Sequence, residues 1–203
     1  MIDSSYDAYP NLIWNGGRRL KTYPSINIKD ILFFFNKYPN IKLRYVFTNN
    51  QLTEQHLNNK QCNDFVQQYI RPQDEVIINS PLLINHFKEN YPNINLIYST
   101  TLDITNINII NNITKNNVYV LNYNYNNDNN YIQQIINKHN LEILCAEPCI
   151  LNCPFRLEHY INISKDIINN DYENIFYCPF KSELLTFEEI IKLPHAVTNM
   201  RIK

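Results

Sequence analysis

Short runs rich in β-branched and aromatic residues alternate along this chain with amphipathic stretches of helical length, and no other feature constrains the fold as strongly. Strands are predicted at Asn11–Trp14, Leu43–Thr48, Glu75–Asn79, Asn95–Thr100, Val118–Tyr123, Leu141–Ala146 and Asn174–Cys178. Between and after them, Ile28–Tyr38, Gln61–Ile70, Leu82–Tyr91, Ile104–Ile113, Tyr131–His139, Leu157–Ile168 and Phe187–Lys192 carry helical apolar spacing. Such alternation means parallel strands joined by crossover helices, either a (β/α) barrel or an open doubly wound sheet. No glycine-rich phosphate fingerprint follows any strand, which argues against a nucleotide-binding doubly wound fold or a P-loop. A closed barrel usually takes about 250 residues. At 203 residues the expectation is one domain, 1–203. It would be an α/β, TIM-like (β/α) barrel of about seven βα units, short or incomplete and lacking the last unit, or a fragment whose last strand would begin near Met200–Lys203.

In parallel α/β folds the chemistry collects where strands end. Here those positions read Asn15-Gly16-Gly17-Arg18, Thr48-Asn49-Asn50, Asn79-Ser80-Pro81, Ser99-Thr100-Thr101, Asn122 to Asn126, Glu147-Pro148-Cys149 and Cys178-Pro179, a polar rim carrying thiols. The chain has only two glycines, where average usage would give about 14. The pair Gly16-Gly17 is therefore expected where no side chain is tolerated. With Arg18 it forms a candidate site for a phosphate or carboxylate, or simply a tight turn. The composition leans to Asn, Ile, Tyr and Lys, so the polar run Asn122 to Asn130 reads as a solvated loop.

Lys and Arg number 18 against 19 Asp and Glu, net charge -1. This excludes a basic arm or a polyanion-coating surface and gives no support to autonomous RNA binding. No run approaches the roughly 18 apolar residues of a membrane span. The first residues carry Asp3 and Asp7 instead of a basic start and an apolar run. A soluble, cytoplasmic protein is expected, with no membrane partner and its oligomeric state open.

The sharpest local signal is Cys145-Ala-Glu-Pro-Cys149-Ile-Leu-Asn-Cys153-Pro-Phe-Arg156-Leu-Glu-His159-Tyr160. Five cysteines, an odd number and clustered, suit a metal or redox site in a reducing compartment. Pro148 and Pro154 break any continuous helix through them, so Cys149 and Cys153 fall in a loop after the sixth strand. Cys178 ends the next strand. Cys62 opens the second helix, where amide dipoles favour a thiolate. Crossover helices start at the end where strands finish, so Cys149, Cys153, Cys178 and Cys62 are expected to meet on one face as metal ligands, with Cys145 pointing elsewhere. Four thiolates suit zinc or an iron-sulfur cluster; single ligands drawn from several loops suit the cluster better than a zinc knuckle. In the radical enzymes that cleave S-adenosylmethionine the cysteines are spaced three and then two residues apart. Here both gaps are three.

The segment Leu141-Glu-Ile-Leu-Cys-Ala-Glu-Pro-Cys149-Ile-Leu-Asn-Cys153-Pro-Phe-Arg156-Leu-Glu-His159-Tyr160 resembles the collagenase-like peptidase family, peptidase family U thirty-two. In that family a barrel strand with a Glu leads into a Cys-x3-Cys-Pro-x-Arg-x-x-His-Tyr loop. Val76-Ile-Ile-Asn79-Ser-Pro81-Leu and Leu96-Ile-Tyr-Ser99-Thr100 are weaker echoes. The resemblance covers about residues 40 to 200 and implies a TIM-like barrel with a 4Fe-4S cluster. It further implies hydroxylation of RNA nucleobases or of a small aromatic substrate, and not proteolysis. Carried over by position, Cys149 and Cys153 match cluster ligands, Cys178 matches a later cysteine and Cys62 would supply the fourth. The His-Gly after the strand Glu, the Ser-Gly before the paired cysteines and the Gly-Arg after the last strand are absent here.

Arg156 and His159 lie three residues apart and would share a helix face. There they would bind an anionic substrate and donate a proton, or cap a helix end. Glu147, beside the thiol loop, is the candidate base, or an ordinary ion-paired carboxylate. His56, His86, His139 and His195 show no spacing of a metal helix or a dyad, and no Gly-x-Ser-x-Gly elbow occurs. The alternative is a non-catalytic binding module stabilised by zinc or a cluster.

Overall fold

The computed structural model describes residues 4–9, 11–17, 27–144, 149–171 and 201–202. The chain forms two compact units, Met1–Leu96 with His159–Ile175, and Ile97–Glu158 with Phe176–Lys203. Parallel strands alternate with helices and are laid down in chain order, the α/β arrangement expected of a TIM-like barrel. Among the described residues no helix is long and apolar enough to cross a membrane.

In the first unit β1 (Ser4–Asp7), β2 (Lys42–Phe47) and β3 (Glu75–Ile78) pair in parallel, with Tyr6 opposite Arg44 and Arg44 opposite Glu75. The first strand is thus not Asn11–Trp14. Asn11 has φ 65° and the amide of Asn15 closes a turn on Leu12. The apolar residues that suggested a strand are plugs: Leu12 and Trp14 are buried, and the Trp14 ring meets Phe47, His86 and Phe87 edge-on. Helices α1 (Ile28–Lys37), α2 (Glu54–Leu57), α3 (Lys60–Tyr69) and α4 (Pro81–Asn90) follow their strands.

On the pleat opposite Tyr45 and Phe47, the buried Arg44 guanidinium meets Glu75 at 2.7 Å. Desolvation offsets most of the attraction in a buried ion pair of this kind, so its net stabilisation is small.

The second unit holds the end of β4 (Asn95–Tyr98), then β5 (Val118–Val120), β6 (Leu141–Ile143) and β7 (Arg201–Ile202), again parallel, with Val120 opposite Glu142 and Glu142 opposite Arg201. β7 starts at Arg201, close to Met200, where the fragment alternative places a last strand. The strand and helix predicted at Asn174–Cys178 and Phe187–Lys192 lie outside the described residues. Helices α5 (Ile107–Ile113) and α6 (Asn129–Gln133) belong to this unit, and α7 (Arg156–Asn169) starts in it. The helix expected over Tyr131–His139 is cut short because Asn111 Oδ1 takes the amide of Ile136 at 2.8 Å, leaving a separate 3-10 turn at Lys138–Asn140.

The Asn-rich composition has a local use. Asn27, Asn59 and Asn106 cap α1, α3 and α5 with their side-chain oxygens, Asn27 in a capping box with Asp30. All four non-glycine residues with positive φ among those described are Asn or Asp: Asn11, Asp103, Asn152 and Asn170. Their short polar side chains tolerate the left-handed region that glycine usually fills.

Candidate metal centre

The thiol loop of the second unit is held from outside. After β6 the described chain resumes at Cys149, and Cys149 and Cys153 are both half-buried. Between them Ile150–Cys153 forms a turn: the Cys153 amide reaches the Ile150 carbonyl at 3.2 Å, with Asn152 at φ 54°. The Tyr123 hydroxyl joins both ends of that turn, donating to the Ile150 carbonyl at 2.9 Å and accepting the Cys153 amide at 3.2 Å. Beside it, Asn124 Oδ1 accepts the Asn152 amide at 2.7 Å.

Both side chains come from the segment after β5. Its 3-10 turn, Tyr123–Tyr125, is capped by Asn122, whose amide group also bonds Asp103, and Asn126 donates to the Leu144 carbonyl at 2.8 Å. Arg156 opens α7, its amide bonded to the Cys153 carbonyl at 3.3 Å, and its guanidinium carbon lies 4.1 Å from the centre of the Tyr123 ring. Burial pushes the Tyr123 hydroxyl above its usual pKa; the Cys153 amide and the Arg156 charge pull it down, and Cys149 and Cys153 push it up. One phenol thus stands within electrostatic reach of both thiols and the cation.

The other predicted residues fall differently. Gly16 and Gly17 belong to the first unit, at the end of β2. A Cβ on Gly16 would stand 2.3 Å from the Thr48 carbonyl oxygen, and Gly17 has φ 74° with the Tyr160 ring 3.4 Å from where its Cβ would be. Packing against Thr48 and Tyr160 therefore accounts for both glycines. Asn49 completes this join: its amide group donates to the Ile13 and Ser164 carbonyls at 2.8 and 3.2 Å.

Cys62 sits in the first turn of α3 with its amide bonded to Asn59 Oδ1, yet it is completely buried. Burial pushes its thiol up to about 11, against the pull of the Trp14 and Ile13 amides. The expected helix-dipole effect on Cys62 is outweighed by desolvation. His159 lies in the first unit with its ring stacked on Tyr160, 6.1 Å between centroids. Arg18, Glu147 and Cys178, like Cys145, lie outside the described residues.

Asn122 to Asn126 stood on the expected strand-end rim, but the run Asn122 to Asn130 read as a solvated loop, whereas Asn122, Tyr123 and Asn126 are buried. Their position at the end of a predicted strand was the available signal, and the Asn-Tyr bias of the run Asn122 to Asn130 concealed it.

Cys149 and Cys153 suit two thiolate positions of a zinc or iron-sulfur site: both are partly accessible, and they flank a single turn. Among the described residues no group of three or more His, Cys, Asp and Glu side chains is arranged to hold a metal ion.

No family model and no curated protein matches the chain. The fold is similar to that of the solved U32 peptidase Mk0906, with a TM-score of 0.68 and 12% sequence identity over 93% of this chain and 81% of that one. The likeness in fold agrees with the resemblance read from the thiol segment.

Proposed function

We propose that this chain is an iron-sulfur protein of the collagenase-like peptidase type, acting in redox or hydroxylation chemistry. The observation that supports this reading most is the turn Ile150–Cys153, which carries Cys153 directly after Cys149, both half-buried, and is bonded through its backbone to one phenol whose ring meets one guanidinium. Cys149 and Cys153 would hold the centre together with Cys178. For the fourth position Cys62 competes with Cys145; Cys62 is completely buried, with the Ile13 and Trp14 amides bonding its thiol, which gives it a packing role already and favours Cys145. A bound 4Fe-4S cluster would supply one-electron chemistry.

Arg156 would offset the negative charge that thiolate ligands bring, a fixed cation held in place by the Tyr123 ring. His159 as proton donor and Glu147 as base belong to the same proposal. With a net charge of -1 and no basic excess, a small aromatic or anionic substrate suits the chain better than RNA.

A second reading is a non-catalytic module in which zinc or a cluster is structural. It is favoured by the spacing of Cys149 and Cys153, three residues between them, which falls within the range of zinc-ligand pairs. Anaerobic purification separates the two: a broad visible absorption band with bound iron and sulfide supports the first, and colourless protein with zinc supports the second. Metal-free protein after anaerobic reconstitution would sink both.

A further inference from the structure

We propose that Tyr123 is the positioning residue of the thiol centre. This rests on the reading that Cys149 and Cys153 bind metal, and adds the residue that sets their geometry.

The turn between the two cysteines has little of its own to hold it. One internal hydrogen bond closes it, Asn152 occupies a left-handed conformation, and Leu151 is 63% exposed. The Tyr123 hydroxyl ties both ends of this turn with one oxygen, as donor to Ile150 and acceptor from Cys153. Asn124 takes the neighbouring amide of Asn152, so two consecutive side chains grip two consecutive amides.

The gripping residues are themselves fixed. Tyr123 is 4% exposed, its 3-10 turn is capped by Asn122, and its ring face is covered by Arg156. The turn that separates the two thiols is therefore tied to the segment after β5, a different strand from the one that precedes them. Groups that orient metal ligands from outside in this way typically alter metal affinity about 10–100-fold when removed.

Tyr123→Phe keeps the ring, its burial and its contact with Arg156, and removes only the two hydrogen bonds. Cadmium added anaerobically to the reduced full chain, followed by thiolate-to-metal charge-transfer absorption, reads the site without requiring activity. Cys149→Ser and Cys153→Ser should abolish the band. Tyr123→Phe should weaken binding about 10–100-fold with little change in the urea midpoint, and should speed hydrogen exchange at the Cys153 amide. Asn124→Ala, should Tyr123→Phe fold poorly, is expected to weaken cadmium binding in the same direction.

Wild-type affinity in Tyr123→Phe, or in Asn124→Ala where that variant is the one measured, with both Ser variants impaired, overturns the positioning role and leaves the metal reading standing. Cadmium binding unaffected by the Ser variants overturns both.

Discussion

The Gly16 backbone lies so close to Thr48 that a Cβ would come within 2.3 Å of the Thr48 carbonyl oxygen. That neighbour is backbone at the end of a strand and cannot swing aside. Gly16→Ala should lower stability at the upper end of about 1–3 kcal/mol. Gly17→Ala should cost about 1–2 kcal/mol, through its positive φ. Urea unfolding of the two variants orders them. Equal, negligible effects would show that this turn relaxes freely.

Asn152 stands at φ 54° in the turn that carries the thiols. Asn152→Gly should change stability by less than about 0.5 kcal/mol, whereas Asn152→Val should cost about 1–2 kcal/mol. Thermal unfolding of the pair checks this. A Val variant as stable as the Gly variant would mean that the turn adopts another conformation.

Complete burial of Cys62 separates packing from ligation. Cys62→Ala should leave cadmium or iron binding intact while costing about 1–2 kcal/mol. Loss of metal with unchanged stability would restore Cys62 to the ligand set.

Burial holds His86 below its usual pKa of 6.5, against a smaller upward pull from Glu89. Its ring is placed for the neutral form, with Nε2 3.0 Å from Asn63 Oδ1 and Nδ1 3.3 Å from the Asn90 amide nitrogen, beside Trp14 and Tyr91. The unfolded chain binds the proton first. This contribution is therefore fully present above about pH 7 and is lost as pH falls through 6.5 toward the lower folded value. The urea midpoint should drop between pH 7.5 and 5.5 more steeply in the wild type than in His86→Gln; parallel slopes would contradict it.

Much of the helix layer was legible in the sequence. Ile28–Tyr38 and Leu82–Tyr91 were found to within one residue because their caps, Asn27 and Ser80 before Pro81, coincide with the start of apolar periodicity. β1 was not legible, since Ser4-Ser5-Tyr6-Asp7 has a polar, weakly strand-forming sequence, while Leu12 and Trp14 imitated a strand by being buried. At the candidate site the thiols and Arg156 stood out by residue type. Tyr123 did not, because its role depends on a partner 30 residues away and on a hydroxyl that looks like any other among 15 tyrosines.

The described strand pairings all join strands that follow one another in the chain: β1 with β2, β2 with β3, β4 with β5, β5 with β6 and β6 with β7. Each pairing therefore closes only its own intervening segment. Doubling one such segment costs about 0.6 kcal/mol of closure entropy and leaves the other pairings unchanged. Insertions, deletions and sequence drift are thereby confined to single βα steps, which gives a physical reason why a shared fold can persist at 12% identity.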